Sequence, residues 1–226
     1  MKTIKLLSLF TFLLVLCKET FSQTINFNNL KKEDKHIASL NVGLDYGLVY
    51  GVSYSYQLKS KIPFLLNIEC SAPSGENVFD DFKTKVGGQI RFYQMENFNL
   101  SVKFHGIYRR NMNDFVTLQN FGTELSVAAG YYKSKWFTAG EAGFDKAIVT
   151  HFKHSNEYKQ VYAAVKDGWY EPATGGNFNL GLMAGYSFKQ SDLFLKGGIV
   201  TTQNFSKPSL PFYAQVGYTL KIGQHK

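Results

Sequence analysis

Apolar and polar residues alternate one for one along most of this chain. That period restricts the fold more than any other feature, because only a β-strand sends successive side chains to opposite faces. In LVYGVSYSYQL, Leu48, Tyr50, Val52, Tyr54, Tyr56 and Leu58 share one face, while Val49, Gly51, Ser53, Ser55 and Gln57 share the other. The same arrangement sets Phe98, Leu100, Val102, Phe104 and Tyr108 against Asn99, Ser101, Lys103, His105 and Arg109, and it recurs over 120–131 and 177–188. Reading every such run predicts ten strands, near 36–46, 48–58, 62–71, 82–93, 98–109, 120–132, 135–146, 177–188, 193–202 and 210–222. An even number suits a closed antiparallel barrel; the count is eight if the first hairpin or a loop-flanking run is not a strand.

The connections fall into two kinds. Lys59–Lys61, Gln94–Asn97, Lys133–Ser134 and Lys189–Asp192 are short and polar. Ser71–Asp81, Arg110–Gln119, Ala147–Gly176 and Gln203–Ser209 are longer, and in that alternate set only the first connection, around Gly47, is short. Short turns at one rim and long loops at the other fit a transmembrane β-barrel with periplasmic turns and surface loops. Aromatic placement tests this independently. On the apolar face, rings collect near the short turns, as at Tyr56, Phe92, Tyr131, Trp136, Tyr186 and Tyr218. They collect again near the long loops, as at Tyr50, Phe82, Tyr108, Phe121, Phe144 and Phe178, with mostly aliphatic residues between. Two girdles bracketing an aliphatic band match the two interfaces of a bilayer. The core of a two-sheet sandwich gives no reason to exclude rings from mid-strand.

Composition then excludes other classes. A chain of 226 residues with 44% hydrophobic residues, 20 Phe and 14 Tyr is not disordered. No apolar run reaches the roughly 18–20 residues that a membrane-spanning helix needs. Lys2 and Lys5 precede the apolar stretch Leu6–Leu16, the pattern of a signal peptide cleaved after Ser22. A lipoprotein signal ending at Cys17 is the alternative, although Leu16 stands where such signals carry a small residue. Removing residues 1–22 takes away Lys2, Lys5, Lys18 and Glu19, lowering the formal charge from +8 to +6. It also leaves Cys70 as the one cysteine, so no internal disulfide is expected. The expected organisation is a signal peptide over 1–22, an N-terminal periplasmic segment over 23–35 and a barrel domain over 36–226.

With its alternation, its girdles and the terminal strand LPFYAQVGYTLKI (Leu210–Ile222), the chain resembles the small outer-membrane β-barrel proteins of Gram-negative bacteria. That broad group contains OmpA-like and OmpW-like barrels. The resemblance is one of architecture and covers nearly all of the chain after residue 22. The chain departs from the commonest pattern by continuing through Gly223–Lys226, where many such barrels end in an aromatic residue. The resemblance implies a monomeric barrel surrounded by outer-membrane lipid. The group includes adhesins, assembly partners, narrow channels and a few lipid-modifying enzymes, so it does not choose among functions.

The polar face narrows the choice. About eight strands enclose a lumen that side chains just fill, and about sixteen are needed for a wide aqueous channel, so ten strands predict a nearly filled lumen. Glu69, Lys83, Lys85, Lys103, His105, Glu124 and Glu141 all fall on inward positions. They read as a structural ion-pair network, with Glu69 beside Lys83 or Lys85, and Glu124 beside Lys103 or His105. The long connection Ala147–Gly176 carries His151, His154, Tyr158, Tyr162, Trp169 and Tyr170, with a short helix expected within Glu157–Lys166. Such a loop serves either for recognition, since aromatic rings give large rigid contacts, or as a plug over the barrel mouth.

No catalytic residue, cofactor or metal site is assigned. His154-Ser155-Asn156 is similar to the His-x-Ser-Asn motif of outer-membrane lipid A deacylases but lacks the intervening residue. On a strand, adjacent His and Ser point to opposite faces and do not readily share a proton. His151 and His154 lack an evident third metal ligand. The basic residues are dispersed, and an exported barrel meets no nucleic acid. The resulting expectation is a non-enzymatic outer-membrane barrel with a structural or interaction role, whose loops engage a protein partner or ligand. The alternatives are a narrow channel for small solutes and a lipid A-directed ester hydrolase.

Overall fold

The computed structural model describes residues 25–45, 47–74, 80–171, 175–208 and 210–223. The expected signal peptide therefore lies outside the described residues. Ten strands form a ring: β1 (His36–Leu44), β2 (Leu48–Gln57), β3 (Phe64–Pro73), β4 (Phe82–Met95), β5 (Phe98–Met112), β6 (Val116–Tyr132), β7 (Trp136–His154), β9 (Gly176–Ser187), β10 (Ser191–Thr202) and β11 (Phe212–Ile222). Between β7 and β9 lie the helix α1 (Asn156–Val161) and the short strand β8 (Gly168–Tyr170). Each barrel strand pairs antiparallel with the next, and β11 returns to β1 from His36↔Ile222 to Leu44↔Ala214. Closure leaves none of the ten strands with an open edge. The ten runs of alternation are these ten strands.

The barrel is polar inside and apolar outside. Glu69, Lys103 and Lys221 are all but inaccessible, whereas Leu40, Leu195 and Leu182 expose 60%, 62% and 72% of their surface. Aromatic contacts edge this outer belt. At the long-loop rim Phe82, Tyr108 and Phe121 pack in sequence at 5.6 and 5.0 Å, and Phe144 meets Phe178 at 4.5 Å. At the short-turn rim Tyr131 meets Trp136 at 5.7 Å, with the Lys133 ammonium over both rings. Inside, glycines make room for rings: a Cβ on Gly185 would lie 2.2 Å from Phe137, and one on Gly217 would lie 2.3 Å from Phe194.

The long-loop rim departs from the sequence expectation. Arg110–Gln119 is not a long loop, because β5 runs on to Met112 and β6 starts at Val116, leaving a tight turn at Asn113–Phe115. Likewise β7 does not stop near residue 146. It continues to His154 and stays paired with β6 up to Val116↔His154, a ribbon extending roughly 25 Å at about 3.3 Å per residue. Ile148 is an extra residue there, because Phe121 pairs with Val149 and Gly122 with Ala147. The bulge exchanges the two faces of β7, and this broke the period in the sequence. The helix is present but starts earlier and is shorter than expected, at Asn156–Val161.

The chain before β1 does not stand apart from the barrel. A single 3-10 turn, Phe27–Asn29, enters the opening at the short-turn end. Ile25 and Phe27 pack there against Ile37 and Leu65 of the inner wall, with Leu30 at the edge.

Candidate functional site

The lumen is built in layers, starting from the short-turn end. Asn26, wholly buried, donates from its side chain to the Lys133 carbonyl at 2.7 Å and to the Ser187 hydroxyl at 2.9 Å. Asn28 donates to the Tyr132 carbonyl at 2.6 Å, and Asn29 donates to the Phe188 carbonyl at 2.9 Å. Asn99 in turn donates to Asn28 at 3.1 Å, and the Arg91 guanidinium lies over the Phe27 ring at 5.6 Å. This segment thus ties together the turns after β6 and β9 and the walls of β4 and β5. An inner cluster of Tyr132, Phe137, Ala139, Met183 and Phe194 packs the lower lumen further.

Charged layers follow. Lys221 donates to Asp192 at 2.7 Å with both side chains wholly buried. Glu141 accepts from Lys103 at 2.9 Å and from Lys196 at 2.8 Å, one carboxylate serving two ammonium groups. Lys85 donates to Glu124, and His105 Nε2 lies 3.8 Å from Glu69. The register sets Glu69 opposite Lys85 and His105 opposite Glu124, as expected, but the contacts above reach further. Lys85 faces Glu69 in register, yet its ammonium turns to Glu124; His105 faces Glu124 but approaches Glu69; and Lys103 passes to Glu141. Apart from Lys221 with Asp192, these partners are one strand removed from adjacency. Inside a closed barrel the concave wall brings alternate strands together. Two strand spacings, roughly 9.5 Å, suit an extended Lys–Glu pair better than the direct cross-strand position, where the Cβ atoms are only about 5 Å apart.

Above these layers, at the long-loop end, lies a cavity of about 660 Å³. Its floor includes Lys85, Glu124, Glu141 and Lys196, with Tyr213 beside them. Higher on its wall, Arg109 bonds Asp145 at 3.0 Å and Asn120 at 3.1 Å, and Lys83 lies 3.6 Å from Asp45. The cavity was not foreseen from the sequence. The signal available was the set of inward Asn111, Asn120, Asn177 and Asn179 near the long loops.

The six residues of the expected recognition loop are divided between two faces. His151 packs against Trp169 at 4.8 Å, and Trp169 reaches Phe121 of the outer aromatic row at 5.9 Å. On the other face Phe152 meets Tyr170 at 5.4 Å, and His154 stacks on Tyr158, which in turn meets Tyr162 at 4.8 Å. Asp167 fastens the ribbon: it accepts from the His154 backbone N–H at 2.9 Å, from His154 Nδ1 at 3.0 Å and from Lys159 at 2.5 Å. The first of these bonds, followed by Lys159, holds its carboxyl well below the usual carboxylate range. Ser155 is the N-cap of α1, its hydroxyl accepting from the Tyr158 N–H at 3.2 Å. Among the described residues no group of three His, Cys, Asp or Glu side chains gathers as a metal site.

No protein-family model matches the chain, and no curated protein matches its sequence. Solved structures do. A KdgM porin in complex with disordered oligogalacturonate aligns at 10% identity and a TM-score of 0.42, and a second KdgM porin structure aligns at 10% and 0.40. The outer membrane enzyme PagL aligns at 12% identity and a TM-score of 0.38. Each covers 82% of this chain and 99% of its own.

Proposed function

We propose that this chain is a non-enzymatic barrel of the bacterial outer membrane, closed to ion flow, that presents its long-loop end to a ligand or protein partner. A soluble protein rarely exposes a continuous apolar surface beyond a few hundred Å². Here a whole ring of strands is apolar outside and edged by aromatic rows, which supports lipid as its surroundings. The observation that carries the functional reading is the filled lower lumen. Among the described residues the plug at Phe27–Asn29, the cluster around Phe137 and the buried pairs of Glu141 and Asp192 fill the lumen beneath the cavity. This favours binding over conduction. The hydrolase alternative loses support from Ser155, whose hydroxyl caps a helix while His154 turns to Asp167. Planar-bilayer recording tests the reading: the refolded barrel should insert without discrete ion steps, and reproducible steps from the full chain would refute it.

A further inference from the structure

The cavity at the long-loop end has a definite charge pattern. Among the described residues its lining carries four cations and four carboxylates, and each of these cations has a partner within the same lining: Lys83 with Asp45, Lys85 with Glu124, Arg109 with Asp145 and Lys196 with Glu141. We propose that this cavity binds an uncharged polyhydroxylated molecule of about disaccharide size and discriminates against anions of the same shape. The inference rests on the reading of the barrel as closed below, and it names the class of ligand.

Three observations support that class. A volume of about 660 Å³ lies within the range of small-molecule sites, roughly 300–1,000 Å³. A hydroxyl both donates and accepts, so a polyol can bond to the cation and the carboxylate of one pair without separating them, and to the amides of Asn111 and Asn177 in the same wall. An anion competes with Asp145 for Arg109, or with Asp45 for Lys83, and displaces a carboxylate into a partly desolvated wall, which is costly. The Phe152 ring, also in the lining, offers an apolar surface for the C–H face of a sugar.

Titration calorimetry on the refolded full chain in micelles tests this with trehalose and trehalose 6-phosphate, which differ by one charged group. Saturable binding of trehalose is expected, with the phosphate at least about tenfold weaker. Asp145→Asn leaves the rim one positive charge in excess and should erase or invert that preference; Lys83→Gln leaves one negative charge in excess and should widen it. Both sit at the half-buried rim, and the heat-shifted gel mobility of a folded barrel checks each variant. Tighter binding of the phosphate to the unaltered chain would overturn the proposal. So would the absence of saturable binding of trehalose, or an unchanged preference in both folded variants. Ion steps in bilayers with trehalose binding intact would instead refute the closed lumen and leave the ligand class standing.

Discussion

The two ends of the barrel use similar polar side chains to opposite effect. At the short-turn end Asn26, Asn28 and Asn29 donate to turn carbonyls and a hydroxyl over 100 residues away in sequence, and Phe27 fills the space between. At the long-loop end Asn111 and Asn177 line a cavity, and α1 and β8 fold against the extended ribbon, outside the cavity lining. Asparagine is thus a fastener at the end that the segment before β1 enters and a cavity wall at the other. Among the described residues, the segment that enters the short-turn opening is the one that precedes β1.

The comparison can be broken most severely in the charged layers between the two ends. Glu141→Ala removes the carboxylate that buried Lys103 and Lys196 share and should cost about 3–5 kcal/mol, measured by urea unfolding of the barrel in lipid vesicles. A loss near that of an exposed ion pair, about 0–1 kcal/mol, would show that water reaches the layer. Next in size, Leu182→Arg on the outer belt should cost about 2–4 kcal/mol in vesicles if that leucine faces the bilayer midplane. Asn26→Ala takes a donor from the buried Ser187 hydroxyl and from the Lys133 carbonyl and should cost about 1–3 kcal/mol, while leaving ligand binding at the other end unaltered.

The smallest effect concerns the ribbon. Because the Asp167 carboxyl is depressed in the folded state, its contribution is complete above the ordinary carboxylate range. It is lost only as pH falls through the depressed value. Fluorescence of Trp169 in a Trp136→Phe, His151→Gln background should therefore show no Asp167-dependent change from neutral pH through the ordinary carboxylate range and change with Asp167 only below it. Asp167→Asn should abolish that acid-dependent change.

What could be read from the sequence follows from what surrounds each strand. Between the girdles, an apolar outer belt on one side and a packed polar lumen on the other enforce strict alternation, so all ten strands are visible. Above the upper girdle that constraint ends. The segments RRNM and AIVTHFKH are paired strands without a clean period, the second also shifted by the bulge at Ile148. The inward charges and their neighbours in register were legible, but the contacts that skip a strand across the concave wall were not. The plug NFNNL was illegible for a different reason: its bonds go to Tyr132, Lys133 and Phe188, and nothing local in the sequence marks those contacts.

The difference between the two ends is tested most directly by thiol accessibility in lipid vesicles, with Cys70→Ser as background. A membrane-impermeant maleimide should label Asn177→Cys, whose position lines the cavity, and should leave Ser101→Cys, buried in the lower lumen, unlabelled. Labelling of both at similar rates would mean that water runs through the barrel, contradicting a lumen sealed at one end.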